Sequence, residues 1–378
     1  MSNQRWNPYV LLQNQSVDEM WSTHFSDIQR KILFVFGQGF DVRMNLALKN
    51  LISICPNLNI EFWLIKYDEG KDSASHVYQD LIDENIEELS ELLSGKRIVT
   101  KEIKLWSSKG KKKRRIGDRE AANLISEYSE ISSYTDIIVD ISALPRGVYF
   151  SLIGKLLSLI DKFANGSINL LVSVAEHAEI DNQIQESATD EDINYLHGFG
   201  GEIELTGELD KPLIWFPILG ENKISHVRKA FGKITEAKSR IFEICPTFPF
   251  PSRNPRRSDE ILIEYHELLF DELAIEPQNI MYVSERNPFE AYIQLSNAVQ
   301  NYKTSLQVIN GCKAALSTFS SKLLSLGTLL AAYEDRDNIG VLNVDSQGYN
   351  IIDKNKVRNL KTESELFVIW LTGDPYND

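Results

Sequence analysis

The chain has 378 residues, of which 43% are hydrophobic and 25% are charged, and its formal net charge is −14. These proportions are ordinary for a globular protein, and the length predicts two domains or lobes instead of one small core. The acidic balance argues against a general nucleic-acid coat and against binding to an anionic membrane surface.

Three cysteines, Cys55, Cys245 and Cys312, are scattered along the chain. Their spacing predicts neither a zinc site nor a disulfide framework, and we expect no metal site. The first residues are polar, unlike a signal peptide, and no apolar run approaches the roughly 20 residues of a membrane helix. We therefore expect a cytoplasmic protein that has no contact with membranes.

Residues 1–30 carry aromatic anchors in a polar background, which predicts an N-terminal arm packed on the first lobe. Five apolar residues then run into Gly37-Gln38-Gly39, and a helical pattern opens at Asp41. This predicts a buried parallel strand, a tight turn and a helix capped by Asp41, with Arg43 one turn in. Such a turn lets a phosphate approach free backbone N–H groups. The alternative is a turn with a structural role alone.

Two charged features follow the second and third predicted strands. Asp68 lies at the tip of strand 59–65, where many Rossmann-like folds hold a ribose hydroxyl, although an exposed acidic turn is the alternative. The run Lys109–Arg115 is a dense basic patch in an acidic protein. It fits a solvated loop, a clamp for phosphates or a surface for a protein partner.

The strand that ends at Asp140 is followed by Ser142 and Arg146, and an apolar helix continues to residue 163. We expect Ser142 and Arg146 to project from the strand tip toward the same ligand as the glycine turn. A buried aspartate needs a partner, for which Arg146 or Arg43 is suitable. A structural ion pair is the alternative.

The sequence predicts an N-terminal arm over 1–30 and a first Rossmann-like lobe with a trailing helix over 31–244. Four prolines in 245–259 predict a linker, and a second, smaller Rossmann-like lobe occupies 260–378. The basic segment Arg253–Arg257 in that linker would close over a ligand or bind a partner protein. The fold class is therefore α/β, with mainly parallel sheets flanked by helices in both lobes.

The second lobe repeats the arrangement of polar side chains at strand and helix ends. Its members are Ser284, Glu285, Arg286 and Asn287 after one strand, and Ser320, Ser321 and Lys322 at the start of a helix. We interpret Ser320-Ser321-Lys322 as the counterpart of Ser142 to Arg146.

That serine–lysine loop resembles the loop after the fourth strand of CARF-type and related Rossmann-like sensor domains of bacterial defence systems, and Ser142 to Arg146 is a looser match. The resemblance implies a cyclic oligonucleotide or similar nucleotide bound between two Rossmann-like halves. The sequence lacks the Gly-Gly-Thr form of the motif and any recognisable effector domain. A sensor, or a subunit of a stress or antiphage defence system that acts through a partner, is therefore implied.

The stretch Gly37 to Arg43 also resembles the first motif of leucine-carboxyl-methyltransferase-like enzymes, G-x-G-x-D-x-R. That resemblance implies S-adenosylmethionine as a cofactor, held by Gly37, Gly39 and Asp68. Nothing in the sequence decides between this cofactor and a nucleotide.

Three functional hypotheses result. In the first, a nucleotide-type ligand lies between the two lobes, with basic groups on its phosphates (Arg43, Arg146, Arg286, Lys322), serines that position it (Ser142, Ser320, Ser321) and acids on its ribose or on the arginines (Asp41, Asp140, Glu285). In the second, the same site is a methyltransferase, or a nucleotide hydrolase in which burial raises the pKa of Asp140 or Glu285 for general-base catalysis. In the third, the chain is a non-catalytic adaptor.

Overall fold

The structure is a computed structural model that describes residues 4–70, 74–107, 114–186, 189–190, 192–203, 211–236 and 241–377, without the side chains of 74 and 75. Residues 109–113, most of the predicted basic patch Lys109–Arg115, lie outside the described ranges. Contacts divide the chain into two compact units. We call residues 8–188 with 346–378 the flanking unit, and residues 1–7 with 189–345 the central unit.

The strands, in chain order, are β1 Val10–Gln13, β2 Lys31–Gly37, β3 Asn59–Asp68, β4 Ile98–Lys104, β5 Asp136–Asp140, β6 Asn169–Glu176, β7 Ile184–Glu186, β8 Asn194–Gly200, β9 Leu213–Ile218, β10 Ile241–Ile244, β11 Thr247–Pro249, β12 Met281–Val283, β13 Lys313–Thr318, β14 Ile339–Asn343, β15 Tyr349–Ile351 and β16 Glu365–Thr372. The α-helices are α1 Gln15–His24, α2 Leu46–Ile54, α3 Gln79–Leu92, α4 Gly117–Asn123, α5 Arg146–Ala164, α6 Ala178–Gln183, α7 Ile224–Glu236, α8 Arg257–His266, α9 Pro288–Ser305, α10 Lys322–Glu334 and α11 Lys354–Leu360.

The flanking unit is built on one sheet with the strand order β1-β16-β6-β5-β2-β3-β4. Strands β4, β3, β2, β5 and β6 are parallel, whereas β16 is antiparallel to both of its neighbours. The central strands β2 and β5 are buried almost throughout, as expected for strands covered by helices on both faces. The chain order reverses between β2 and β5, which makes the carboxyl ends of these two strands a topological switch point.

The central unit repeats this arrangement with the order β12-β11-β9-β13-β14-β8 and with β10 also paired to β9. Strands β12, β11, β9, β13 and β14 are parallel, and β8 is antiparallel to β14. Its switch point lies between β9 and β13. The prediction of an α/β fold with two mainly parallel sheets is confirmed.

The units divide the chain at positions other than those expected from the sequence. Strand β9, assigned to the first lobe over 31–244, pairs with β13 in the central sheet. The expected linker 245–259 contributes β11 to that sheet and begins α8, because its prolines fall at strand and helix ends. The closing strand β16 pairs with β6 in the flanking unit. The central unit is thus inserted into the flanking unit after residue 188.

The N-terminal arm also differs from the expectation. Trp6 is fully buried in the central unit, where its ring contacts Tyr292 edge-on at 5.2 Å between centroids. Residues 8–30 of the arm belong to the flanking unit, where β1 pairs with β16 and the ring of Trp21 is buried in the core. The arm is therefore divided between the two units after residue 7.

Three predicted elements have different bounds in the structure. The helix expected from Asp41 begins at Leu46, because residues 42–45 form turns. The helix expected to continue to Ile244 ends at Glu236, and Ile241–Ile244 is strand β10. The sequence of 305–309 also predicts a strand, but Gln307–Ile309 is a 3₁₀ turn, and the buried strand β13 begins at Lys313.

Among the described residues, no helix has the length and apolar character needed to cross a membrane. Nor does the described part of the chain bring together three or more histidine, cysteine, aspartate or glutamate residues as metal ligands.

Candidate functional site at the carboxyl edges of the sheets

Arg43 lies in the loop after β2 and is buried between two carboxylates. Its Nε and Nη2 donate to Asp41 at 2.9 and 2.8 Å, and Nη2 also donates to Asp181 of α6 at 2.8 Å. Burial alone lowers the pKa of Arg43, but the two carboxylates outweigh it and raise that pKa well above the usual value. Arg43 was expected to bind a phosphate and Asp41 to cap a helix. Both side chains instead stabilise the loop, because the guanidinium of Arg43 and the carboxylate of Asp41 are each other's hydrogen-bond partners.

The same loop is held from the other side by Asn85 of α3, which is buried. Its Nδ2 donates to the carbonyl oxygens of Gly39 and Asp41, both at 2.9 Å, and its own carbonyl accepts from Nδ2 of Asn45 at 2.7 Å. The backbone of the glycine loop is therefore fixed by buried amides.

Gly37 and Gly39 are explained by close packing against the loop after β5. A Cβ on Gly37 would lie 2.5 Å from Cδ2 of Leu144. A Cβ on Gly39 would lie 2.7 Å from the Tyr67 hydroxyl and 3.4 Å from the Ala143 carbonyl oxygen. A side chain at either position would have to displace Leu144 or Tyr67, so the two glycines let the switch-point loops come into close contact.

Asp140 and Ser142 shape the loop after β5, and both are buried. Oδ1 of Asp140 accepts from the Ser142 amide at 2.7 Å, and Oγ of Ser142 accepts from the Ala175 amide of β6 at 2.9 Å. Ser142 therefore ties the loop to the neighbouring strand. The predicted clustering of Asp140 and Ser142 at the strand tip is what the structure has.

Arg146 is the first residue of α5, directly after Pro145. Within the described residues its guanidinium makes no hydrogen bond or ion pair, and its Nε is buried without a partner. The amides of Arg146 and Gly147 begin the helix, where N–H groups have no intrahelical acceptor. A buried, unsatisfied guanidinium nitrogen beside such amides favours an anion from outside the chain.

The end of β3 adds a phenol and a carboxylate. The Tyr67 hydroxyl donates to the Ala143 carbonyl at 3.1 Å, and burial, assisted by the charge of Glu69, raises its pKa well above the usual value. Tyr67 is therefore a neutral phenol at this edge. Asp68 is exposed, and its Oδ1 accepts from the Gly70 amide at 2.8 Å, as in an acidic turn.

Two side chains of the glycine loop, Gln38 and Phe40, were not predicted as site residues. Gln38 is half-buried, and its side-chain amide makes no hydrogen bond within the described ranges, while its backbone N–H donates to Ile65 at 2.8 Å. The ring of Phe40 is half-buried and contacts the rings of Tyr78 and Tyr349, at 5.1 and 5.5 Å between centroids.

At the switch point of the central unit, Gly220 occupies the position that Gly37 has in the flanking unit. A Cβ on Gly220 would lie 2.5 Å from the carbonyl oxygen of Phe319 and 3.1 Å from Cα of Ser320. The Tyr265 hydroxyl donates to the Gly220 carbonyl at 2.8 Å. Both units thus use a glycine to bring two switch-point loops together, those after β2 and β5 in the flanking unit and those after β9 and β13 in the central unit.

An acid–arginine–acid bridge also recurs in the central unit. Arg257 donates from Nε and Nη2 to the two carboxylate oxygens of Glu221 at 2.6 and 2.7 Å, and from Nη1 to Glu285. Burial raises the pKa of Glu221, but hydrogen bonds from Arg257 outweigh it and lower that pKa below the usual value. Glu285, a candidate general base, is therefore held in an ion pair, and Arg257 of the basic segment is not an open docking residue.

The remaining candidates of the second lobe lie at strand and helix ends of the central unit. Ser284 follows β12, Arg286 is half-buried, and the Asn287 side chain caps α9 by accepting from the Phe289 and Glu290 amides. Ser321 caps α10 by accepting from the Leu324 amide at 3.3 Å, and Lys322 is the first residue of that helix, as Arg146 is of α5. The Oγ of Ser320 is buried and has no hydrogen-bond partner in the described part of the chain.

No protein-family model matches the sequence, and no curated protein does. Among solved structures, a universal stress protein from Pseudomonas aeruginosa matches at 14% identity with a TM-score of 0.23, covering 89% of this chain and 99% of its own. A CDPS from Staphylococcus haemolyticus matches at 8% identity with a TM-score of 0.25, covering 42% of this chain and 100% of its own. A universal stress protein from Archaeoglobus fulgidus matches at 11% identity with a TM-score of 0.24, covering 83% and 96%. At these TM-scores the matches carry no argument about function.

The candidate residues thus fall into two groups, one at the sheet edge of each unit. Gly37, Gly39, Asp140, Ser142 and Arg146 lie together on the paired loops of the flanking unit. The sequence analysis did not single out Gln38, although its position between Gly37 and Gly39 could have indicated a role in the loop. It also missed Asn85 and Asp181, whose roles depend on contacts across 44 and 138 residues of chain.

Proposed function

We propose that the flanking unit binds a phosphate-bearing ligand of the nucleotide type at the switch point between β2 and β5. The observation that carries the proposal is Arg146, whose buried Nε has no partner among the described residues and which lies at the start of α5. In open α/β sheets, ligands bind outside the carboxyl ends of the strands at such a point. The sequence hypothesis of a nucleotide-binding protein is retained, and of its four candidate phosphate-binding cations Arg146 is the one used in this proposal.

Charge supports this assignment. Arg43 is neutralised by Asp41 and Asp181, so Arg146 supplies the cation that a phosphate needs at this edge. A phosphate would accept from the guanidinium and from the first amides of α5, which are charge-assisted hydrogen bonds. Asp140 and Ser142 would mainly support the loop, because Oδ1 of Asp140 and Oγ of Ser142 already accept hydrogen bonds from the backbone.

A role as a sensor, or as a subunit of a bacterial stress or antiphage defence system, is also part of this proposal. Its support is the CARF-type resemblance, in which Ser142 to Arg146 of the flanking unit is the looser match. The methyltransferase alternative uses the same loop, with Asp68 on the ribose of S-adenosylmethionine. The packing of Gly37 and Gly39 against Leu144, Ala143 and Tyr67 favours the binding hypothesis, since it accounts for both glycines without a cofactor.

The test is calorimetric titration of the full chain with mononucleotides, cyclic oligonucleotides, inorganic tripolyphosphate and S-adenosylmethionine. We expect a phosphate-bearing ligand to bind, and Arg146→Ala to weaken it at least tenfold, because a hydrogen bond to a charged group contributes about 1.5–3 kcal/mol. Lys155→Ala removes a half-buried cation from the same helix and is the matched control. Equal affinity for Arg146→Ala and the native chain would disprove the phosphate site, and binding of S-adenosylmethionine alone would support the methyltransferase.

A further inference from the structure

The side-chain amide of Gln38 is placed to recognise a ligand. It is half-buried between Gly37 and Gly39, and it makes no hydrogen bond within the described residues. A side-chain amide offers two donors and a carbonyl acceptor, so a partly exposed amide on this loop can pair with the polar edge of a ligand. The bond from the Gln38 backbone N–H to the Ile65 carbonyl, at 2.8 Å, fixes the point from which the amide projects.

Two residues later, the half-buried ring of Phe40 forms an aromatic cluster with the rings of Tyr78 and Tyr349, which we call the aromatic wall. The Tyr78 hydroxyl accepts from the Ile351 amide at 2.9 Å and donates to the Tyr349 carbonyl at 3.2 Å, which holds the wall in place. Exposed parts of such rings stack on planar heterocycles with little loss of conformational freedom.

The loop packing links this wall to Arg146. Gly39 approaches the Ala143 carbonyl, with 3.4 Å between that oxygen and the position of a Cβ. Arg146 follows Ala143 by three residues, a chain distance of at most roughly 11 Å. An amide, an aromatic face and a guanidinium therefore lie within the reach of one nucleotide-sized ligand.

From this juxtaposition, and resting on the proposed function, we infer that the ligand carries a nucleobase, that the amide of Gln38 reads the edge of that base, and that the ring of Phe40 stacks on its face. Arg146 then holds the phosphate. An amide forms a bidentate pair with an adenine edge and presents a different pattern to the other bases, so Gln38 is the specificity-determining residue.

The experiment compares AMP, GMP, CMP, UMP and inorganic tripolyphosphate by calorimetry on the full chain. We expect one mononucleotide to bind at least tenfold more tightly than the others and than tripolyphosphate. Gln38→Ala and Gln38→Leu, which add no charge, should abolish most of the discrimination between bases while leaving tripolyphosphate binding unchanged. Phe40→Leu, which keeps an apolar side chain, should weaken every nucleotide about fivefold or more and spare tripolyphosphate.

Gln29→Ala is the matched control, because Gln29 is an exposed glutamine just before β2, at the opposite edge of the sheet. Base discrimination that survives in both Gln38 variants, or equal affinity for mononucleotides and tripolyphosphate, would overturn the inference while leaving the phosphate site intact. Binding that is unaffected by Arg146→Ala, or the absence of any phosphate binding, would instead overturn the proposed function.

Discussion

The guanidinium of Arg43 and the carboxylate of Asp41 form two parallel hydrogen bonds, 2.9 Å from Nε to Oδ1 and 2.8 Å from Nη2 to Oδ2. Both residues stand where the sequence suggested ligand contacts, yet they satisfy each other. Asp181 completes the bridge from α6, so the glycine loop is tied to an element that is distant in sequence. The same pattern joins Glu221, Arg257 and Glu285 in the central unit.

Replacing Arg43 by methionine should destabilise the flanking unit by about 3–5 kcal/mol, because two carboxylates lose a buried partner. Arg43→Lys should recover only part of this loss, since an ammonium does not reproduce the planar fork. Urea unfolding measures the loss of stability. Hydrogen exchange of the native chain, followed in peptides from α2 and β2, shows whether the loss is local to this loop. Arg119→Met, at an exposed position, is the control. A lysine variant as stable as the native chain would show that charge alone is sufficient.

Gly39→Ala should be strongly destabilising because its Cβ would meet the Tyr67 hydroxyl at 2.7 Å. In a Tyr67→Phe background that obstacle is absent, so the alanine should cost at least 1 kcal/mol less there, which is a coupling energy typical of contacting residues. A double-mutant cycle on unfolding free energies measures this coupling. Additive costs would mean that the Ala143 carbonyl, not the phenol, limits the space.

At the central switch point, Gly220→Ala should be more damaging than Gly37→Ala. The first places a Cβ 2.5 Å from a backbone oxygen of Phe319, whereas the second meets the movable end of the Leu144 side chain. We expect a cost of about 2–3 kcal/mol for Gly220→Ala, within the range for overpacking. Gly232→Ala is the control: nothing lies within 4 Å of its Cβ in helix α7, and alanine should stabilise that helix by up to about 1 kcal/mol. The opposite ranking would contradict the loop packing.

Asp136, fully buried at the start of β5, should make stability depend on pH in acid. Its carboxylate bonds to His24 Nε2 at 2.7 Å and accepts from the Thr135 hydroxyl at 2.6 Å. Burial raises the pKa of Asp136, but these bonds and the charges of His24 and Arg30 outweigh it and hold that pKa below its ordinary value of 3.8. Because the folded pKa is depressed, the stabilisation is present above about pH 4 and is lost as pH falls through the folded value.

The variant Asp136→Asn should therefore unfold about 3 kcal/mol more easily at pH 7, and its deficit should shrink between about pH 4 and pH 2. Urea midpoints measured across this range provide the test. A deficit that stays constant down to pH 2 would mean that the carboxylate contributes through packing instead of charge.

Trp6→Ala should destabilise the central unit by about 3–5 kcal/mol, the usual cost of removing a fully buried tryptophan. Hydrogen exchange should increase in α9 and α10, because Tyr292 and Tyr333 are the rings that Trp6 contacts. Ile28→Ala, at a position that is 87% exposed, is the control. Exchange that rises only in the flanking unit would place the N-terminal segment there.

The parts of this fold that follow from local patterns were predictable from the sequence. Apolar strand β2, the glycine turn and the helix after Pro145 are fixed by residues close in sequence, and the structure has them. The route of the chain between sheets was not predictable, because β9 and β16 have the apolar pattern of strands that fit either lobe. The partners of Arg43 were equally hidden, since Asp181 lies 138 residues away.

The placement of β16 has a consequence for the order in which the two units fold during synthesis. This strand lies between β1 and β6, yet it is made from residues 365–372, after the whole central unit. Until it emerges, β1 lacks its neighbour in the sheet, and one side of β6 presents open backbone groups to other nascent chains. The central unit is therefore free to fold first, and a chain that terminates early at residue 345 would carry a completed insert within an open and aggregation-prone sheet.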